Sequence, residues 1–313
     1  MFARRWRLEL PPELASGFSC YAIAVIEPSI IRLPDGRRLA YLDTQAAGVP
    51  VLFLHGLPGC RLTRPDVALT AEMGARLITF DRPGFGQSDG RAGRSLVEIA
   101  DDIVALLDRL GIDRVHVAAP SGGGPPALAF AHRAPDRIRA VALVGAAGPV
   151  DAPGALAGIA FERRVGFWLA QHLPGVFRWV LSRRARRGQD GNSMEAFLAS
   201  YTRHNPPVDQ EILGRPEIRS MFLVSYSESL RQGVDAFAWE IQLAVRPWGF
   251  SLSDIRVPVA VWHGGKDNSV PPVMGKRIAA AIPGAQLHLL PDESHLFFLS
   301  RWREILGDLL SLG

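Results

Sequence analysis

"HVAAPSGGGPPALAF", residues 116 to 130, carries an apolar run into Ala119-Pro120-Ser121-Gly122-Gly123-Gly124 and leaves it through Pro125 and Pro126 into an alanine-rich segment. The run reads as a strand and the segment beyond it as a helix. A strand, a sharp turn and a helix are what lift a serine to the tip of a strained corner, provided that the residues two before and two after it are small. Those places hold Ala119 and Gly123. The usual pattern, G-x-S-x-G, has glycine at both, so Ala119 is a departure that adds one methyl group. The two prolines suit a first helical turn, where a missing N–H has no intrahelical partner to lose. The helix would direct the positive end of its dipole at charge developing near Ser121. Taken alone, the stretch has two readings: Ser121 is a nucleophile, or these residues form only a glycine-rich corner.

Outward from this corner, residues 37 to about 150 alternate short β-branched or apolar runs with helical stretches. This is the pattern of a mostly parallel, doubly wound α/β sheet covered on both faces. Strands are predicted at Arg38–Asp43, Val51–His55, Arg76–Asp81, Val115–Ala119 and Ala140–Gly145. "SLVEIADDIVALLDRLG" (95 to 111) repeats Leu96, Ile99, Ile103, Leu106, Leu107 and Leu110 at helical spacing, with Ser95 and Glu98 as a cap pair and Gly111 as the stop. From about 152 to 250 the alternation disappears and only helical segments rich in Trp and Arg follow one another, separated by Gly and Pro. The α/β rhythm then returns in "VPVAVWHGG", "VMGKRIAAAI", "AQLHLLP" and "RWREILGDLLS". We therefore expect an N-terminal extension at 1–34, one α/β core formed by 35–151 and 251–313, and a helical cap inserted at 152–250. No internal repeat or low-complexity segment is found.

Composition narrows the class. The chain has 313 residues, 48% hydrophobic and 21% charged, enough to bury a large core without disulfides or a metal. Cys20 and Cys60 form no framework, which favours a reducing compartment or free thiols. The net charge of +4 and pI near 9.5 rest almost wholly on arginine, with Lys266 and Lys276 the two lysines. We take this as a compositional habit rather than a nucleic-acid signature, and no nucleic-acid partner is expected. The dense basic stretch "RWVLSRRARRGQD" (178 to 190) reads as a solvated face, with an anion- or membrane-facing patch as the alternative. No uninterrupted apolar run is long enough to span a bilayer, so no stable membrane insertion is expected. Arginines precede an apolar stretch near the N-terminus, but Pro11, Pro12 and Glu13 interrupt it. A cytoplasmic location is expected, with export the alternative.

A serine nucleophile at neutral pH needs a base, and the base needs an orienting carboxylate. Both should lie beyond the carboxyl ends of later strands, where an open α/β sheet places its site. "VPVAVWHGGKDNSVP" delivers Asp267 there, and "LHLLPDESHLFF" delivers His295. Competing acids are Asp151, Asp292 and Glu293. Upstream, "VLFLHGLPGCR" ends a strand in His55-Gly56-Leu57-Pro58-Gly59, a turn whose Leu57 N–H can donate to an oxyanion together with the N–H of Gly122. His55 reads as a loop-ordering histidine and Cys60 as a packed thiol, since nothing in sequence marks a thiolate site around it.

With His55 to Gly59, "FDRPGFGQSDG" (80 to 90), the Ser121 corner followed by "ALAFAHRAPDRIRAVALVG", "HGGKD" and "SHLF", the chain resembles the α/β-hydrolase superfamily in its capped form. The resemblance spans about residues 35 to 310, with the cap recognisable by position alone. It implies an eight-stranded-type sheet and the chain order Ser121, Asp267, His295 for a catalytic triad. It calls for no cofactor and no metal. Serine at the corner disfavours dehalogenation and epoxide opening, which use an aspartate nucleophile, and favours acyl transfer on a small-molecule ester of small or medium size and hydrophobic character. Alternatives within the fold are cleavage of C–C, amide or peptide, or lactone bonds, and perhydrolysis; outside catalysis, a ligand-binding member. Aromatics of the cap, among them Phe161, Phe167, Trp168, Phe177, Phe197, Tyr201 and Phe237, divide between a substrate pocket and the cap's own core, and sequence does not separate the two groups.

Overall fold

The computed structural model describes residues 27–150, 154–159, 161–187, 198–199 and 202–313. Eight strands form a single sheet in the order β1-β2-β4-β3-β5-β6-β7-β8. They are β1 Ser29–Arg32, β2 Arg38–Asp43, β3 Val49–Phe53, β4 Ala75–Phe80, β5 Val115–Pro120, β6 Ile138–Val144, β7 Val259–Gly264 and β8 Gln286–Leu290. β1 and β2 pair antiparallel; from β4 to β8 every pairing is parallel. The order reverses at β3, which lies between β4 and β5. At such a switch the connections leave in opposite directions and open a crevice beyond the strand ends.

The mostly parallel, doubly wound sheet read from the sequence is present, and each expected strand forms to within about two residues. The sheet also begins earlier than expected: the boundary at residue 34 falls after β1, which pairs Ser29 to Arg32 with Tyr41 to Arg38. "SIIR" is a four-residue edge strand that buries Ile31 and leaves Ile30 exposed, too short to display a period.

Side chains alternate across the sheet into two core layers, as the strand period demands. Leu52 of β3, Val117 and Ala119 of β5, and Val141 and Leu143 of β6 face one layer, covered by α2 Ile99–Arg109, α3 Gly124–Arg133 and α9 Pro272–Ala281. Val51 and Phe53, Ala118, and Ala142 and Val144 face the other, covered by α10 Trp302–Ser311 through Trp302, Ile305, Leu306 and Leu309, with α1 Val67–Glu72 beside it. At the start of α2 the Glu98 carboxylate accepts from the Ser95 N–H and hydroxyl at 2.6 and 2.8 Å, the expected cap pair, although the helix itself begins at Ile99.

Between β6 and β7 the described residues contain helices and no strand: α4 Phe161–His172, α5 Pro174–Arg187, α6 Pro207–Gly214, α7 Pro216–Ser229 and α8 Asp235–Ala244. α6 and α7 extend the second core layer through Ile212, Leu213, Ile218, Met221 and Phe222. α4, α5 and α8 share a smaller cluster around Ala170, Phe177 and Ala238. Asp151, Phe197 and Tyr201 lie outside the described residues.

Candidate active site

Ser121 sits at φ +52, one of two non-glycine residues in the left-handed region among the described residues. A β-carbon is disfavoured there, so the fold around it must hold the strain. The glycines do so by permitting close approach: a Cβ on Gly123 would stand 2.0 Å from the Leu54 carbonyl oxygen, and one on Gly124 would stand 2.6 Å from the Ala146 methyl. Ala119, where the pattern has glycine, is buried in the first core layer and in register with Leu143 of β6, so its methyl group fills core rather than blocking the turn.

His295, beyond the end of β8, places Nε2 3.0 Å from Ser121 Oγ. Its Nδ1 lies 2.7 Å from Asp267 Oδ2, beyond the end of β7. The other oxygen of Asp267 accepts from the backbone N–H groups of Ser269 and Val270 at 2.8 and 2.9 Å, which fixes the carboxylate plane. With Asp267 ionised, Nδ1 carries the proton and Nε2 is left to accept from the serine hydroxyl. Burial lowers the His295 pKa, but the charge and hydrogen bond of Asp267, with the charge of Asp209, outweigh it, and the net shift is upward. His263, fully buried beside Asp267 Oδ2 at 3.6 Å, is pushed down by burial and bonds the Val270 carbonyl through Nε2.

Three segments remote in sequence thus meet at one point. Two of the competing acids are engaged elsewhere: Asp292 pairs with Lys266 at 2.9 Å and is exposed, and Glu293 pairs with Arg301 at 2.8 Å. Cys60 is buried against Ser225, and burial drives its thiol pKa upward.

The His55–Gly59 turn runs against the serine: a Cβ on Gly56 would lie 3.3 Å from Ser121 Cβ. The Leu57 side chain covers Gly122, whose added Cβ would meet Leu57 Cγ at 2.7 Å. Gly122 is therefore shielded by a neighbour, a contact its own lack of a side chain permits. The turn is held from behind by Arg82, fully buried, which donates to the His55 carbonyl at 2.7 Å and to the Gly56 carbonyl at 3.4 Å. His55 Nδ1 lies 2.9 Å from the same Gly56 oxygen, and burial and Arg82 keep this imidazole neutral. Two donors therefore polarise the peptide whose N–H belongs to Leu57.

Sequence reasoning missed Arg82, Glu240 and Asp209. Glu240 of α8 is buried between Arg82 and Arg94 and ties the cap to the turn after β4. Burial holds the Arg82 pKa down to about 9. Asp209 of α6 is fully buried, accepts from Ser294 Oγ at 2.9 Å and from the Leu296 N–H at 2.9 Å, and reaches the His295 N–H at 3.3 Å. A cap carboxylate thus grips the loop that carries the histidine. One signal was available for Glu240: in "DAFAWEIQLA" it is an acid in the interior of a mainly apolar helix, which demands a buried cation.

Two cavities meet at Ser121, sharing Leu57, Ser269 and His295. The larger, about 230 Å³, is walled by Phe167, Phe177, Leu181, Phe237 and Ile241 of the cap and by Leu96 and Pro125 of the core. The smaller, about 50 Å³, is lined by Pro58, Leu213, Phe222, Tyr226 and Phe298. Trp168 and Trp179 line neither and are about half exposed. Among the described residues no group of His, Cys, Asp and Glu could hold a metal ion, and no helix is long and apolar enough to cross a membrane.

A sheet of this order with a serine at the tip of its β5–α3 corner defines a class, the hydrolases of the α/β type. The family model of the alpha/beta hydrolase fold matches residues 49–301, and the chain belongs to that family. It is 30% identical over 263 residues to a 2-hydroxy-6-oxononadienedioate/2-hydroxy-6-oxononatrienedioate hydrolase of Cupriavidus pinatubonensis, covering 81% of this chain and 82% of that protein. It is 36% identical over 142 residues to an uncharacterized hydrolase of Bacillus subtilis, YcgS, a match that spans 43% of this chain and about half of that one. A thermophilic esterase from Thermogutta terrifontis superposes with TM-score 0.58 at 26% identity, over 91% of this chain and 98% of the other.

Proposed function

We propose that this hydrolase cleaves small or medium hydrophobic carboxylic esters through an acyl-enzyme on Ser121. The observation that carries the proposal is the unbroken chain from Ser121 Oγ through His295 to Asp267, at 3.0 and 2.7 Å, opening on a mainly apolar cavity that Glu162, Arg163, Arg184 and Glu240 also line. As Oγ attacks the ester carbonyl, His295 Nε2 takes its proton and Asp267 stabilises the imidazolium. The Leu57 and Gly122 N–H groups receive the oxyanion; a backbone donor of this kind is worth roughly a hundredfold or more in rate. Collapse expels the alcohol, which leaves with the proton from His295. Water, deprotonated by the same nitrogen, then attacks the acyl group and frees the acid and Ser121. Unequal cavities on the two sides of Ser121 favour an ester with one large apolar part and one small part.

A second reading, hydrolysis of a C–C bond in a hydroxy-oxo-dienoate, is favoured by the relative from Cupriavidus pinatubonensis, which is named as a hydrolase of such a hydroxy-oxo-dienedioate. Turnover of p-nitrophenyl esters of rising chain length, beside such a dienoate, separates the two. The ester reading expects ester hydrolysis in the wild type and a loss in Ser121→Ala of roughly 10⁴-fold or more in kcat. Dienoate cleavage without ester cleavage would replace it with the second reading.

A further inference from the structure

The cap helices α4 and α5 are apolar on two sides. Their inner sides line the larger cavity and the small cap core through Phe167, Ala170, Phe177 and Leu181. Their outer sides are also apolar: Phe161, Val165 and Trp168 recur at the four- and three-residue steps that make one stripe on α4, and they are 76%, 38% and 54% exposed. Val176 and Trp179 of α5 are 45% and 55% exposed, and Leu173, the link between the helices, 45%. Elsewhere among the described residues the exposed large hydrophobics are Ile30, Val49, Leu287 and Leu289, at sheet edges and strand starts.

Charge singles out the same hairpin. Residues 161–187 contain seven arginines and one acid, Glu162, a formal +6, whereas the whole chain is +4; the remaining residues sum to −2. Arg178 is bridged to Asp235 at the surface and Arg183 lies over the Trp179 ring at 5.2 Å, so cations and aromatics interleave. Half-exposed tryptophans flanked by arginines match the layered chemistry of a bilayer surface: rings at the headgroup level, long cationic side chains reaching up to phosphate. Of these arginines Arg163 and Arg184 line the cavity and Arg178 is bridged to Asp235, while Arg164 and Arg183 are exposed, and a second copy of this chain would set those cations against their own kind. An acidic protein would answer the charge, but it would leave the protruding apolar stripe needing a matched groove, whereas headgroups yield around it.

We propose that the α4–α5 hairpin docks on an anionic lipid surface, lying in the headgroup layer without crossing it. Resting on the ester-hydrolase reading, this adds that lipophilic esters reach the Ser121 cavity from the membrane, through helices whose inner faces wall that cavity. The test is sedimentation of the full chain with vesicles of phosphatidylcholine alone and of phosphatidylcholine containing a third phosphatidylglycerol. The variants are Trp168→Ser with Trp179→Ser, and Arg164→Glu with Arg183→Glu; none of these residues lines either cavity. We expect binding to the anionic vesicles, little to the neutral ones, and at least a tenfold loss of partitioning in each double variant. Hydrolysis of a short water-soluble ester should stay within twofold of wild type in both. Absence of binding to anionic vesicles overturns the proposal. So does binding that survives loss of both tryptophans while polyglutamate competes for it, which would assign the patch to an acidic protein. Because sedimentation reads docking without turnover, a protein that binds vesicles but cleaves no ester fails the catalytic reading alone.

Discussion

His295 is the residue on which most of the site's electrostatics converge. It is faced by Asp267 from the end of β7, Asp209 from α6 and the Arg163 charge from α4, with His263 on the far side of Asp267. The two carboxylates raise its pKa against burial and Arg163. A general base must be neutral to accept a proton, so kcat/KM should fall as pH drops through a value above the ordinary 6.5 of histidine. Asp209→Asn removes one of the two raising charges, and the acid limb of the kcat/KM profile should move to lower pH. A profile that keeps its midpoint while activity falls would mean that Asp209 only holds the loop. Ser121, Asp267 and His295 were legible because each follows a strand end and their order is fixed by the motif. Asp209 was not, because its partners lie about 85 residues away and no local pattern joins them.

The strand, corner and helix around Ser121 are dictated by close approach more than by propensity. Gly123 faces the Leu54 carbonyl with no room for a methyl group, since the obstructing atom is backbone. Gly123→Ala should therefore cost about 3 kcal/mol or more in stability by forcing β3 and α3 apart, with loss of activity in whatever folds. Gly175→Ala in α5, where a Cβ meets nothing within 4 Å, should be neutral or stabilising by about 0.5–1 kcal/mol. Thermal unfolding of the pair checks both; equal melting temperatures would show that the corner is not packed as described. The central parallel strands β5, β6 and β7 were readable because both faces are buried and their runs are nearly all apolar. β1 escaped because an edge strand of four residues carries one buried side chain and no rhythm.

The molecule as a whole divides its tasks between a rigid sheet, which brings three distant loops to one crevice, and a cap, which supplies walls and holds one of those loops. The core half of this was written in the sequence as alternation, turns and motif order. The cap half was visible only as a position and a composition: which aromatics face the cavity depends on helix rotation against the core, and Phe167, Phe177 and Phe237 face it while Trp168 does not. The basic stretch read as a solvated face is part of a hairpin that also exposes its aromatics, a combination that needs three dimensions to see. All of the proposed chemistry rests on Ser121 being the nucleophile. The direct measurement is peptide mass mapping after treatment with a fluorophosphonate. The phosphonyl group should appear on the peptide carrying Ser121, be absent from Ser121→Ala, and form far more slowly in His295→Ala. Adduct on another residue, or labelling undiminished in Ser121→Ala, would contradict the account.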